Sequence, residues 1–124
     1  GTIARMSTTT LRPAATLVLV RPARTPSGHE VVWVHRARGL RFLGDFWAFP
    51  GGAADEGEAP EEACAREAFE EAGVVLGRAA DPGAARAAQA DLLAGRATWP
   101  DVRARLALPD DAGLVPCGLW RTPP

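Results

Sequence analysis

Runs of apolar residues in the first half of the chain predict β-strands. Residues 14–21 are almost continuously apolar, which predicts a buried strand, and residues 30–36 predict its partner in a hairpin. Three residues that favour turns lie in or near the connection: Pro22, Pro26 and Gly28. A loop at residues 39–45 and a short strand at residues 46–49 then lead into a proline and two glycines.

The next segment predicts an α-helix of about three and a half turns. Pro60 suits the first helical position, and Gly73 suits the left-handed position after the last turn. The apolar side chains gather on one side, which we expect to face the core: Cys64, Ala65, Ala68, Phe69 and Ala72. The opposite side carries Glu67, Glu70 and Glu71 within an arc of about 100°.

The remainder of the chain is rich in alanine and arginine. Two short helices are predicted at residues 82–93 and 99–106, separated by Gly95 and Pro100. Residues 114–120 predict a further strand.

Length and composition indicate a single soluble globular domain. The chain has 124 residues, of which 47% are hydrophobic, and its net charge is −1. This charge argues against a nucleic-acid surface, and no apolar run approaches the roughly 20 residues that span a bilayer. Without a secretory signal we expect a cytoplasmic protein, with Cys64 and Cys117 as reduced core residues. Residues 1–5 are expected to be a cloning remnant ahead of a native start at Met6.

The three close glutamates suggest a bound cation. Each pair of carboxylates repels by roughly 2 to 3 kcal/mol at about 6 Å and an effective dielectric of about 20. Mg²⁺ or Mn²⁺ would reverse the sign of this interaction and leave coordination positions for phosphate. Arg66 lies next to Glu67 and four residues before Glu70, so it can orient a carboxylate. The alternatives are a surface ion pair of Arg66 with Glu62 or Glu70, and a solvated helix without a ligand.

Residues 52–74 resemble the signature of the Nudix hydrolase family. The residues that match it are Gly52, Glu58, Arg66, Glu67, Ala68, Glu70, Glu71, Gly73 and Val74. Ala68 is the weak match, because the family usually has a larger aliphatic side chain there. The resemblance implies an α/β fold, in which a mixed sheet is flanked by helices as an α/β/α sandwich. It also implies hydrolysis of a pyrophosphate bond in a small nucleotide substrate.

The resemblance also implies roles for the matching residues. Glu67, Glu70 and Glu71 would bind Mg²⁺ or Mn²⁺ together with the carbonyl of Gly51. One of these carboxylates, with Glu67 as the candidate, would accept the proton of the attacking water, and the resemblance leaves open which one does so. Glu67, Glu70 and Arg66 are the expected catalytic residues.

Family members contain further strands and a final helix after the signature. We therefore expect residues 6–124 to be a Nudix domain truncated on its C-terminal side, with a helical insert at about residues 81–107.

The stretch before the signature resembles the coenzyme A pyrophosphatase branch of the family. The residues that carry this resemblance are Arg36, Leu40, Arg41, Gly44, Phe49, Pro50, Gly51, Gly52 and Asp55. Arg36, Arg41, Gly52 and Glu58 are the expected substrate-binding residues. Arg36, Arg38 and Arg41 could form a basic rim for the 3′-phosphate of coenzyme A, because guanidinium groups pair well with phosphate, and three solvated arginines are the alternative. Coenzyme A or acyl-coenzyme A is the expected substrate, and ADP-ribose or another nucleoside diphosphate sugar is the alternative. A non-catalytic module that senses a nucleotide is the alternative of another class.

Other candidate residues have a structural alternative. Trp33 and Trp47 could stack on adenine, although a tryptophan in a predicted strand more often belongs to the core. His35 could be a base but is more often structural in such a strand, and Asp45 and Asp55 are interpreted as turn residues. No nucleic-acid or membrane partner is expected, and a homodimer is left open.

Overall fold

The computed structural model describes residues 11–24, 28–40, 44–119 and 121. In these residues the chain forms strands and helices in an α/β composition, as the sequence predicts. The strands are β1 (Ala14–Thr16), β2 (Val20–Pro22), β3 (His29–Val31), β4 (Val34–His35), β5 (Trp47–Ala48) and β6 (Gly51–Ala53). The helices are α1 (Pro60–Ala72), α2 (Pro82–Leu93) and α3 (Trp99–Arg105). The chain divides into two compact units, Gly1–Cys64 and Ala65–Pro124.

The described part of the first unit contains three antiparallel strand pairs. β2 pairs with β3, which is the hairpin that the sequence predicts. β1 pairs with β6 and β4 with β5, so residues 14–21 do not form one continuous strand. This run changes partner in its middle: Leu17 donates its amide to the carbonyl of Pro50 at 2.8 Å, whereas Leu19 accepts from Val32 at 3.1 Å. One apolar run therefore serves two partner strands, which the pattern along the sequence does not reveal.

The strands of the first unit are more exposed than predicted. Leu17 is buried, but three nearby valines keep about half of their surface exposed: Val18 (48%), Val20 (54%) and Val31 (46%). The prediction of a buried strand is therefore wrong for most of this run, because an antiparallel pair can leave one face uncovered. Of the predicted turn residues, Gly28 has a φ of +125°, which favours glycine, and Pro26 lies outside the described residues.

Gly51 begins β6, a strand that the sequence does not predict. A Cβ atom on Gly51 would overlap the carbonyl oxygen of Ala15 and would lie 2.8 Å from the Cα of Thr16. Two backbones therefore approach too closely here for a side chain, so packing alone favours glycine at this position.

The second unit has a helical core around the C-terminal half of α1. α2 spans the predicted residues, and α3 ends one residue earlier than predicted. Asp81 caps α2 by accepting from the amide of Ala84 at 2.9 Å, and Thr98 and Asp101 form a capping box at the start of α3. The buried residues that pack together are Phe69, Ala88, Trp99, Val102 and Leu106.

The predicted strand at residues 114–120 is wrong. Residues 114–119 contain no strand, and Val115 and Leu119 are 79% and 96% exposed. Trp120 lies outside the described residues. Apolar side chains favour a strand only when a partner strand supplies backbone hydrogen bonds, and residues 114–119 have no such partner. Cys117 lies in this segment and is exposed, so its assignment to the core is also wrong.

Two further predictions concern α1. Cys64 is buried as predicted, and burial together with the nearby charge of Glu61 raises the pKa of its thiol. Ala72 is exposed rather than packed in the core, because α1 ends at this residue before Gly73 turns away with a φ of +67°.

None of the helices in the described residues has the length and apolarity that a membrane crossing requires.

Gly51→Ala should destabilise the protein, because the new methyl group collides with the backbone of β1 and overpacking costs about 1 to 3 kcal/mol. Gly39→Ala is the matched control, since a Cβ atom there meets nothing within 4 Å. Urea denaturation should show the loss for Gly51→Ala alone. Equal unfolding free energies for the two variants would contradict the close approach.

Candidate functional site

α1 carries the carboxylates that the sequence singles out. The side chains of Glu67 and Glu70 keep only 15% and 26% of their surface exposed, whereas Glu71 is exposed. On the other side of the same helix, Ala68 and Phe69 are fully buried. Solvent exposure therefore increases from Glu67 to Glu71 along this side of the helix. A surface helix without a function would expose all three side chains.

Arg66 lies between two of these carboxylates. It is 7% exposed, and its Nη1 donates to Oε1 of Glu67 at 3.1 Å and to Oε1 and Oε2 of Glu70 at 3.4 and 3.3 Å. A buried guanidinium shared by two carboxylates differs from the surface ion pair considered above. Arg66 therefore offsets part of the charge of Glu67 and Glu70, and these carboxylate oxygens have the charge that a cation would complement.

The donor chemistry of this helix face fits a hard divalent cation, because all three side chains offer carboxylate oxygens. Within the part of the chain that the structure describes, however, no three His, Cys, Asp or Glu side chains are grouped closely enough to hold a metal. Glu67 and Glu70 instead share the guanidinium of Arg66. The structure thus places the carboxylates on one helix without gathering them as a ligand set.

Three of the predicted site residues of the first unit lie close to the start of α1 in the sequence. Gly51 and Gly52 lie in β6, and Glu58 lies in the loop that precedes α1. Oε1 of Glu58 accepts from the amide of Asp55 at 3.0 Å, and the amide of Glu58 donates to the carbonyl of Asp55 at 3.0 Å. Asp55 is a turn residue, as predicted, and Glu58 closes this loop.

The predicted phosphate-binding arginines have different surroundings. The backbone of Arg36 donates to the carbonyl of Phe46 at 2.8 Å, and its side-chain Nε is buried without a hydrogen-bond partner among the described residues. Arg38 is 87% exposed and donates to Asp45 at 3.4 Å. Arg41 lies outside the described residues. Arg36 therefore has a buried nitrogen that makes no hydrogen bond to the described residues, whereas Arg38 is exposed to solvent.

Aromatic side chains pair across β4 and β5 and beside them. His35 stacks on Trp47 with ring centroids 4.7 Å apart, and Trp33 and Phe49 form a T-shaped pair with ring centroids 5.8 Å apart. Trp47 and Trp33 are 59% and 52% exposed, so neither is a core residue. His35 Nε2 lies 3.0 Å from Oδ1 of Asp45, a turn residue, as predicted, with a φ of +65°.

Gln89 is a polar residue that the sequence analysis does not single out. Its side-chain amide on α2 donates to the carbonyls of Phe69 at 3.0 Å and of Glu70 at 3.1 Å. Its position in the sequence could have identified it, because Gln89 directly follows the buried Ala88 and lies beside the apolar side of α2.

Comparison with known proteins agrees with the motif on α1. A model of the NUDIX domain matches residues 10–105. Proteins from two strains of Mycobacterium tuberculosis, CDC 1551 / Oshkosh and ATCC 25618 / H37Rv, are each 40% identical to this chain over 57 residues. Both carry the name "Putative 8-oxo-dGTP diphosphatase 3", and the alignment covers 44% of this chain and 23% of either relative. The chain thus spans about a quarter of the length of the curated relatives it matches.

No solved structure matches the chain. The domain match extends over well more than half of the sequence and includes α1 with its carboxylates. On this evidence the chain belongs to the Nudix family and has its α/β fold.

Proposed function

We propose that the protein hydrolyses a pyrophosphate bond in a nucleoside diphosphate derivative, with Mg²⁺ or Mn²⁺ as its cofactor. The observation that carries this proposal is the charged face of α1, where the buried Arg66 donates to both Glu67 and Glu70. Membership of the Nudix family supports the same chemistry, and so does the word diphosphatase in the name of the two relatives.

Each residue of this face has a proposed role. Glu67, Glu70 and Glu71 would hold the cation through their carboxylate oxygens. When bound, the cation would neutralise phosphate charge and make a bound water more acidic. Glu67 would accept the proton of the attacking water. Arg66 would fix the orientation of Glu67 and Glu70 through charge-assisted hydrogen bonds, which makes it a positioning residue.

A module that senses a nucleotide without hydrolysing it is the competing function. Loss of signature carboxylates is what we expect of a non-catalytic member, and this sequence retains Glu67, Glu70 and Glu71. The intact carboxylates therefore favour the enzyme.

Glu70→Gln or Glu71→Gln should lower kcat by roughly 10²-fold or more, because each replaces a charged metal ligand by a neutral amide of the same shape. Glu61→Gln is the matched control, since Glu61 lies in the first turn of the same helix. Release of product should be measured in Mg²⁺, with circular dichroism to check the fold. Full Mg²⁺-dependent turnover in either variant would refute the assignment.

Arg66→Met should lower the free energy of unfolding by about 3 to 5 kcal/mol, because it leaves two mostly buried carboxylates without this guanidinium. Arg96→Met is the control: Arg96 is 64% exposed and pairs with Asp91 at 3.0 Å, so its loss should cost less than about 1 kcal/mol. Urea denaturation of both variants measures the difference. Equal losses would show that the Arg66 cluster is no more important for stability than a surface pair.

We further propose coenzyme A or an acyl-coenzyme A as the substrate, with ADP-ribose or another nucleoside diphosphate sugar as the alternative. Arg36 supports this choice, because its Nε makes no hydrogen bond to the described residues and coenzyme A carries a 3′-phosphate that ADP-ribose lacks. The exposed ring of Trp47 offers a surface on which adenine can stack. The name of the relatives makes 8-oxo-dGTP a third substrate to test.

The enzyme should have its highest kcat/KM on coenzyme A, releasing phosphopantetheine and adenosine 3′,5′-bisphosphate. Its preference for coenzyme A over dephospho-coenzyme A should fall about 10- to 150-fold in Arg36→Met, since one charge-assisted contact is worth about 1.5 to 3 kcal/mol. Arg38→Met is the matched control. Preferred conversion of ADP-ribose to AMP and ribose 5-phosphate, or of 8-oxo-dGTP to 8-oxo-dGMP and pyrophosphate, would contradict this choice of substrate.

A further inference from the structure

The side chain of Gln89 joins α2 to the last turn of α1. Its Nε2 donates to the carbonyl of Phe69 at 3.0 Å and to the carbonyl of Glu70 at 3.1 Å. Both partners are acceptors, so the NH₂ end of the amide must face α1. The side chain is half-buried, and its Oε1 lies 3.4 Å from the position that a Cβ atom on Gly73 would occupy. Gln89 therefore covers the place where α1 ends.

This end of α1 needs external donors. The last four carbonyls of a helix have no partner within it, and here they belong to residues 69–72. The amide of Gly73 supplies one bond, to the carbonyl of Phe69 at 2.9 Å. Gln89 supplies a second bond to that oxygen and a bond to the next carbonyl, that of Glu70.

Negative charge also destabilises the C-terminal end of α1. Glu70 and Glu71 place negative charge at the negative pole of the helix dipole, and the last turn contains no basic residue. The N–H groups of Gln89 point at this pole and offset part of its negative potential. Loss of Gln89 would leave the turn that carries both glutamates less firmly held.

We propose that Gln89 is a positioning residue, which holds the last turn of α1 so that Glu70 and Glu71 are presented to the cation. This inference rests on the proposed function, because the role of Gln89 is defined by the metal that these glutamates would bind. Gln89 acts through the backbone of Glu70 and touches neither substrate nor metal. Residues that orient metal ligands typically change metal affinity about 10- to 100-fold when they are replaced. A residue acting through the backbone belongs at the lower end of that range.

The test compares Gln89→Met with Ala90→Gly in the full chain. Methionine keeps the length of the side chain and removes its donors. Ala90 is the next residue on α2 and is exposed, so Ala90→Gly weakens the helix through glycine's low propensity without touching α1. Two measurements are made on each protein: hydrogen exchange of the Gly73 and Val74 amides without metal, and Mn²⁺ affinity by calorimetry.

For Gln89→Met we expect amide exchange at Gly73 and Val74 to become about tenfold faster and the Kd for Mn²⁺ to rise about tenfold. Ala90→Gly should change neither quantity more than about twofold, even if it lowers the Tm as much. The inference is overturned if Gln89→Met binds Mn²⁺ as tightly as the wild type, or if both variants weaken binding equally.

The same data separate this inference from the proposed function. A wild-type chain that binds no Mn²⁺ refutes the metal site, and the role of Gln89 in it falls as well. A wild-type chain that binds Mn²⁺ with unchanged affinity in Gln89→Met leaves the metal site intact and removes only the role of Gln89.

Discussion

Repulsion among the carboxylates of α1 is the constraint on which the rest of this structure depends. Glu67, Glu70 and Glu71 lie within about one turn and a half, and each close pair repels by roughly 2 to 3 kcal/mol at an effective dielectric of about 20. Arg66 relieves part of this by donating to two of the three, and it does so from a buried position where screening by water is weak. The carboxylates of α1 are therefore held close together against their mutual repulsion, which requires support from the rest of the helix.

That support comes from the opposite side of the helix. Phe69 is fully buried and its ring centroid lies 5.7 Å from that of Trp99, so the signature helix shares a core with α2 and α3. Burying such a side chain contributes about 1.5 to 3 kcal/mol, which is comparable to the repulsion of one carboxylate pair. Asp91 on α2 accepts hydrogen bonds from Arg105 on α3 at 2.8 Å and from Arg96 at 3.0 Å. These bonds connect α2 to α3 and lower the pKa of Asp91. Thus α2 and α3, which the sequence predicts only as an insert, pack against the apolar side of α1 and support the helix that carries the glutamates.

What the sequence could predict was local. Pro60 and Gly73 mark the ends of α1, and the spacing of its glutamates along the chain is enough to place them on one face. The helical period likewise predicts α2 over its whole length. These features depend on contacts within about four residues, which a single sequence contains.

The features that the sequence could not predict depend on contacts between residues that are distant in the chain. The run at residues 14–21 looks like one strand, but its first part pairs with β6 and its last part with β3, and nothing in an apolar pattern specifies that division. The position of Gln89 beside the apolar side of α2 can be read from the sequence, but its bonds to the end of α1 cannot. Burial of Arg66 has the same origin, because the spacing predicts its ion pairs but not the packing that excludes water from them.

The measurement that most directly tests the link between repulsion and cation binding is thermal denaturation of the wild type and of a Glu70→Gln/Glu71→Gln variant across a Mn²⁺ titration against EDTA. A ligand that binds only the folded state at 100 times its Kd stabilises it by about 2.7 kcal/mol, which raises the Tm of a domain of this size by several degrees. We expect that rise for the wild type and none for the double variant. A wild-type Tm that does not respond to Mn²⁺, or an equal rise in both proteins, would contradict it.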